Sequence, residues 1–341
     1  MPEYVMYNND APVARFEAEG GRIIRFKALA PELLPMQLCS AGAEGFMLWL
    51  SGRSIDLNTL AHRNLMNALM GTRDKLTIAL LTHMYSVSDG FTCFEADEFI
   101  PRDALCDTEG QSLVSRYILI SSDTSLRGLR AVTPNAATDG CFAKTWAYEN
   151  GEWWLYKLEN ELQARCEVEI ANTLRKIGWD CAEYCYDAAE TNRVKTKNFV
   201  GKNEFFEPYE SFRYKFSDLR DDEDVIYKNL ASLGAEFEAA WRRIQCADAF
   251  FMNTDRHMRN FGVIRSCVTG ENLRLAPNFD NNQAYIANPS GRYSDAMLKM
   301  YLSRAAEEEK ADIQKLCEAT GESPFFAPAY EAAKKALANR N

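Results

Sequence analysis

Asn150-Gly151 constrains the fold of this chain more than any other pair of residues. It separates two strand-like runs, Phe142-Ala-Lys-Thr-Trp-Ala-Tyr148 and Glu152-Trp-Trp-Leu-Tyr-Lys-Leu158. Both residues accept the positive φ of a type I′ turn, so the pair predicts a β-hairpin. In the first run Ala143, Thr145 and Ala147 share one face, small enough to accept something flat. Phe142, Trp146 and Tyr148 share the other. After the hairpin, Val168, Ala171, Leu174 and Ile177 recur at helical spacing and stop at Gly178. They predict a helix over 162–177, with Gly178 as its left-handed cap.

The rest of the chain shows no internal repeat and no low-complexity tract. Arg22-Ile-Ile-Arg-Phe-Lys27 reads as a strand, and the pattern turns helical from Glu44 to about Phe91. Residues 97–112 form a polar connector before the apolar run Leu113–Ile120, which places a boundary near 110–130. Residues 187–234 are polar, aromatic and irregular. Their acidic cluster, Asp218-Leu-Arg-Asp-Asp-Glu-Asp224, reads as a solvated loop or a helix start. Helices are expected over 235–252, 294–319 and 327–339.

Composition narrows the function. The 341 residues carry 39 Lys and Arg against 49 Asp and Glu, a net charge of −10. Such a surface disfavours phosphate tracking, so no direct nucleic-acid binding is expected. The ten cysteines are scattered without a C-x-x-C pair, and the three histidines lie far apart, so a structural zinc site is not expected. The N-terminus has neither a basic n-region nor an apolar h-region, and no apolar run reaches the ~18 residues of a membrane span. A reducing cytoplasm with free thiols is the expected setting.

The chemistry concentrates in Asp248-Ala-Phe-Phe-Met-Asn-Thr-Asp-Arg-His-Met-Arg-Asn-Phe-Gly262, followed by Arg274-Leu-Ala-Pro-Asn-Phe-Asp-Asn-Asn282. Phosphoryl transfer from ATP needs a carboxylate near the attacking hydroxyl, oxygen ligands for Mg²⁺, and a cation on the phosphates. Asp255 and Asn260, five residues apart, have the spacing of the base and the metal-binding Asn in protein kinases. Asp280 stands where a metal-binding Asp is expected, in the order Phe279-Asp280-Asn281. Lys157, on the second hairpin strand, precedes a helix that carries Glu167 and Glu169. A strand Lys paired with a helix Glu is how kinases hold the α- and β-phosphates. Thr133–Lys144, with Thr138, Asp139 and Gly140, is a turn that could offer backbone N–H groups to phosphates. Taken singly, each piece has a plainer reading: a snorkelling Lys, a solvated Glu, an ordinary loop, a helix cap at Asp255 and Asn260, a core histidine at His257. Their order along the chain carries the functional reading.

Asn253-Thr-Asp-Arg-His-Met-Arg-Asn-Phe-Gly262 closely resembles the catalytic loop of HipA-like kinases, the serine/threonine kinases of bacterial toxin–antitoxin systems and their relatives. Leu275-Ala-Pro-Asn-Phe-Asp280 resembles that family's metal-binding segment. The resemblance covers about 130–310. It implies an α+β, bilobal, protein-kinase-like fold with a mostly helical C-terminal lobe. The implied lobes are 126–190 and 191–341, with 1–125 as an additional N-terminal region, either α/β or mostly helical. It implies ATP and Mg²⁺ as cofactors, Asp255 as catalytic base, Asn260 and Asp280 as Mg²⁺ ligands, and Lys157 on the ATP phosphates. Glu167 is the better match for the helix partner, Glu169 the alternative. Glu183, Tyr184, Cys185 and Tyr186 fall where an adenine-contacting hinge belongs. His257 would brace the loop through hydrogen bonds. Family members can autophosphorylate in the phosphate loop, where Thr133 and Thr138 are candidates. The expected partners are a protein substrate and an antitoxin-type or regulatory protein.

In sequence, residues 1–125 show no obvious match to the usual N-terminal subdomain of the toxin kinases. Asp-Arg-His-x-x-Asn also resembles the catalytic loop of phosphoinositide lipid kinases, although no basic membrane-facing patch is visible here. A small-molecule or lipid kinase and a nucleotide-binding inactive scaffold are therefore the alternatives to an active Ser/Thr protein kinase.

Overall fold

The computed structural model describes residues 2–57, 60–69, 71–106, 111, 114–115, 118, 132–138, 143–187, 190–284 and 294–338. The chain divides into two compact units. The first comprises Met1–Leu158, Lys197–Leu219 and Gly262–Leu273; the second comprises Glu159–Thr196, Arg220–Phe261 and Arg274–Asn341.

The first unit opens with antiparallel strands β1 (Glu3–Asn8), β2 (Ala11–Glu19) and β3 (Arg22–Ala28), joined later by β4 (Phe91–Glu95) in the order β3-β2-β1-β4. Only β3 is expected from the sequence. Gly20 and Gly21 between β2 and β3 have φ of 58° and 76°, the left-handed values of a two-residue type I′ turn. Ala14, Phe16 and Ala18 are buried and alternate with Arg15, Glu17 and Glu19, as a one-sided sheet requires. Helix α1 (Met36–Arg53) covers that face with Phe46, Trp49 and Leu50. It bends at Gly42, whose φ of 53° and ψ of −129° suit only glycine.

The helical pattern expected up to Phe91 resolves into α1, α2 (Leu60–Leu69) and α3 (Lys75–Leu81). Asp74 caps α3 by accepting from the Thr77 amide at 2.8 Å. His83 and Met84 then turn left-handed, with φ of 50° and 57°, so no helix continues towards β4. A one-turn helix α4 (Arg102–Leu105) follows.

The central hairpin forms as expected, from β5 (Lys144–Glu149) and β6 (Glu152–Leu158) in the register Glu149↔Glu152. Asn150 and Gly151 have φ of 52° and 86°. The small-residue face of β5 meets protein polar groups rather than an open surface. Thr145 Oγ1 donates to Asn135 Oδ1 at 3.0 Å, and that oxygen also accepts the Trp146 amide at 2.6 Å. Strands β9 (Glu204–Pro208) and β10 (Gly262–Ser266) pair antiparallel, and α6 (Tyr209–Phe212) follows β9 directly. Arg265 is buried here. It donates to Glu207 Oε2 at 2.7 Å and to the carbonyls of Leu34 and Glu32, both at 2.8 Å. A guanidinium can be buried only with such partners.

The second unit is mostly helical. Helix α5 (Glu161–Lys176) starts with a capping box, in which Asn160 and Gln163 each accept from the other's amide. It ends in a Schellman turn. The Gly178 amide bonds the Arg175 carbonyl at 3.0 Å, the Trp179 amide bonds the Leu174 carbonyl at 3.0 Å, and Gly178 has φ 77°. A hairpin of β7 (Tyr184–Asp187) and β8 (Glu190–Lys197) comes next, antiparallel with Tyr184↔Thr196. The acidic cluster is a helix start: Asp222 caps α7 (Glu223–Ala231). Helix α8 (Ala235–Phe251) buries Phe237, Trp241, Ile244, Phe250 and Phe251. Strand β11 (Asn272–Leu275) begins in the first unit and ends in the second. The helix expected over 294–319 is two helices, α9 (Ala296–Arg304) and α10 (Glu307–Thr320), broken at an extended Ala305. Helix α11 (Ala327–Ala338) closes the described chain. No helix among the described residues is long and apolar enough to cross a membrane.

Candidate active site

Helix α8 delivers the loop. Its last turns are buried, and Met252 ends it in a left-handed conformation with φ 54°. The chain then turns sharply. The Asn253 amide bonds the Asp248 carbonyl at 2.9 Å, and Asn253 Oδ1 accepts the Asp255 amide at 3.3 Å. This places Asp255 on an exposed stretch, where no hydrogen bond or ion pair engages its carboxylate among the described residues. Asn260 is buried. Its Nδ2 donates to the Asp255 carbonyl at 3.0 Å, which closes the five-residue interval into a ring. With Nδ2 committed to the loop, Oδ1 is the end of the amide that can meet a cation.

One residue to which the sequence assigned no role organises the loop. Arg256 Nε and Nη2 donate to the two carboxylate oxygens of Asp248, both at 2.9 Å. Its Nη1 donates to the Asn260 carbonyl at 2.8 Å and to the Phe279 carbonyl at 2.6 Å. Its Nη2 also reaches Asn278 Oδ1 at 3.0 Å and Asn281 Oδ1 at 2.9 Å. A single guanidinium nitrogen thus brings together the backbone at Asn260 and the residue before Asp280. Burial alone would lower the pKa of Arg256. The Asp248 charge and its hydrogen bonds, with Asp280 adding to them, outweigh burial and hold it above the ordinary value.

Asp280 is half-buried with φ 60°. A left-handed Asp is tolerated where neighbours hold it. Its amide donates to the Tyr184 hydroxyl at 3.1 Å, and the next amide, of Asn281, donates to Glu167 Oε2 at 2.9 Å. Asn282 Nδ2 donates to Glu159 Oε1 at 2.8 Å. Glu167 is fully buried on α5. Beside it, Cys181 donates to the Asn278 carbonyl at 3.1 Å, and burial, followed by the Glu167 charge, pushes this thiol well up in pKa. The second unit therefore gathers Asp255, Asn260, Asp280, Glu167 and Tyr184 into one hydrogen-bonded system.

The other expected residues are placed differently. His257 is exposed, and its Nδ1 accepts the Arg259 amide at 3.2 Å, so it is not a core histidine. Glu183 is exposed and pairs with Arg175 at 3.6 Å. Cys185 is half-buried and Tyr186 exposed on β7. Lys157 belongs to the first unit, where it is buried on β6 opposite Lys144. Thr133 and Thr138 are buried, so neither hydroxyl is reachable as the chain is folded. Thr133 caps the turn Pro134–Ala137, and Thr138 donates to the Asn135 carbonyl. Asp139 and Gly140 lie outside the described residues.

The residues to which the sequence assigned no role are Arg256, Asp248, Asn281, Asn282 and Glu159. One signal was available, since Asp248 is a lone acid in the otherwise apolar last turns of α8. Such a group demands a partner.

A family model described as HipA-like C-terminal domain matches residues 145–340. Among solved structures, HipA of Shewanella oneidensis MR-1, in complex with HipB and operator DNA, matches with a TM-score of 0.58 and 10% identity, over 98% of this chain and 96% of that one. The proinflammatory kinase CtkA of Helicobacter pylori matches with a TM-score of 0.45 and 12% identity, over 57% of this chain and 90% of that one. No curated protein sequence matches this chain.

Proposed function

This chain belongs to the family of HipA-like C-terminal domains, with the α+β kinase-like fold of HipA, and from that premise we propose that it is an ATP- and Mg²⁺-dependent kinase acting on Ser or Thr hydroxyls of a protein. The observation that carries the proposal is the Arg256 hub. It fixes the backbone of Asn260 and of the residue before Asp280 to one nitrogen, with Asp255 exposed beside them.

The donor set fits the metal. Asp280 and the Asn260 amide oxygen are hard oxygen ligands. Mg²⁺ in kinases takes only one or two carboxylates from the protein and completes its shell with phosphate oxygens and water. A preformed cage is not required, and among the described residues no group of three His, Cys, Asp or Glu forms one. When bound, ATP and Mg²⁺ supply the phosphoryl group and the charge that neutralises it. In this reading Asp255 accepts the proton of the attacking hydroxyl, which its exposed, unengaged carboxylate permits. Lys157 contacts the phosphates, Glu167 orders the metal segment through the Asn281 amide, and Glu183–Tyr186 border the adenine. His257 shapes the loop through its bond to the Arg259 amide. The turn that carries Thr138, with Asp139 and Gly140 outside the described residues, is assigned to the phosphates. The lobes proposed for this activity are 126–190 and 191–341. The HipA structure includes HipB, and a regulatory protein partner belongs to the same proposal.

The test is incubation with labelled ATP and Mg²⁺, followed by mass spectrometry of the protein and of a lysate. Asp255→Ala is expected to retain nucleotide binding and to lose about 10²–10⁴-fold in transfer. Equal turnover by the variant refutes the role of Asp255. Lys157→Ala is expected to weaken ATP binding and abolish activity; unchanged affinity and rate remove it from the site.

A further inference from the structure

The second unit contains a cleft of about 610 Å³, within the size range of small-ligand and side-chain sites. Asn253, Thr254 and Met258 of the loop that carries Asp255 form part of its wall. Its buried part is apolar, with the Trp241 and Phe261 ring centroids 4.4 Å apart, and Met297 and the exposed Met300 add flexible side chains to the lining. Its rim is acidic. Asp221, Glu223 and Asp224, at the start of α7, line one side, and Glu309 of α10 adds a further carboxylate.

Several lining charges are already satisfied. Asp248 holds Arg256, Glu223 accepts from Gln245 at 2.7 Å, and Arg242 pairs with Glu308 at 3.6 Å. The capping work at α7 falls to Asp222, which accepts the amides of Asp224 and Val225. Asp221 and Asp224 have no ion-pair partner among the described residues. Arg304 is the remaining cation on the lining, so the unsatisfied charge is negative. An acidic rim repels a polyphosphate, so this cleft is not suited to the nucleotide. It is suited to a long cationic side chain, whose methylenes lie on Met and aromatic surface while its head meets carboxylates.

We infer that this cleft receives a Lys or Arg of the protein substrate, flanking the Ser or Thr presented to Asp255. The inference rests on the kinase reading and deepens it: the substrate is a basic segment, which also complements a chain of net charge −10. Two exposed carboxylates acting on one cation are worth about ten-fold in affinity, and the effect is screened by salt.

The test uses the full chain and three synthetic Ser peptides that differ only in whether the residues flanking the serine are Arg, Ala or Glu. Fluorescence anisotropy without ATP reads binding, and labelled ATP reads KM and kcat. The Arg peptide should bind about ten-fold more tightly than the Ala peptide and lose that margin in about 0.5 M salt. In Asp221→Asn/Asp224→Asn, KM for the Arg peptide should rise about ten-fold with kcat little changed. Met300→Arg, at an exposed apolar position of the lining, should weaken the same peptide by filling and charging the cleft. Equal binding of the three peptides, or a charge preference that survives both sets of substitutions, overturns the inference. Phosphorylation without charge preference sinks the cleft and leaves the kinase standing. A charge preference in binding, abolished by the substitutions but with no phosphoryl transfer to any peptide, sinks the kinase and leaves the cleft.

Discussion

Arg256 meets side chains or carbonyls of Asp248, Asn260, Asn278, Phe279 and Asn281. Truncating it leaves the Asp248 carboxylate buried without its cation. Breaking a buried pair by removing one partner costs about 3–5 kcal/mol. Urea denaturation should therefore show Arg256→Ala destabilised by about that much, with activity lost as well. Arg256→Lys should not rescue it, because an ammonium cannot span a carboxylate and two carbonyls at fixed angles. A Lys variant of wild-type stability would show the fork to be dispensable. At this scale the sequence singled out Asp255 and Asn260 by their five-residue spacing, and in the structure that interval is a ring closed locally by the Asn260 amide. The role of Arg256 was hidden for the opposite reason. Apart from the Asn260 carbonyl, its acceptors lie eight residues back and more than twenty ahead, distances that no local pattern encodes.

Secondary-structure elements were legible where their signals were local. Asn150-Gly151 gave a hairpin with the expected residues at positive φ, and Gly178 gave a helix end. A Cβ at Gly178 would meet nothing within 4 Å, so Gly178→Ala tests backbone conformation alone. The alanine should cost about 1–2 kcal/mol in chemical denaturation, and Gly178→Asn clearly less, since Asn enters the left-handed region more readily. Equal losses for the two would point to packing instead. Strands β1 and β2 escaped detection although Gly20-Gly21 marks a tight turn between strands. The break between α9 and α10 was obscured by Ala305-Ala306, two good helix formers. Its trace is the run Glu307-Glu308-Glu309, which suits the first turn of a new helix, and Glu309 caps the Ala306 amide.

At the scale of the molecule, each compact unit is assembled from three separated stretches, an interleaving that residue-by-residue periodicity cannot record. His62 shows what such long-range assembly does to a titratable group. It is buried, with Nδ1 2.9 Å from the Asp56 carbonyl and Nε2 3.3 Å from that of Lys144, 82 residues away. Burial lowers its pKa below the ordinary 6.5 and outweighs the two carbonyls, which favour the charged ring. The unfolded chain then binds the proton more readily than the folded one. The stability contributed by the neutral ring is present above about pH 6.5 and falls away as the pH drops below it. The melting temperature should decline on acidification through that window, and His62→Gln should flatten the decline. A variant with an identical pH profile would place the acid sensitivity elsewhere.

The tethers from Glu167 to the Asn281 amide and from Glu159 to Asn282 straddle the start of α5 and grip the two residues after Asp280. An outward swing of that helix would tear both bonds and release the left-handed turn at residue 280. Helix position and carboxylate position are thus a single mechanical variable: anything that grasps α5 from outside also sets where the Asp280 carboxylate points.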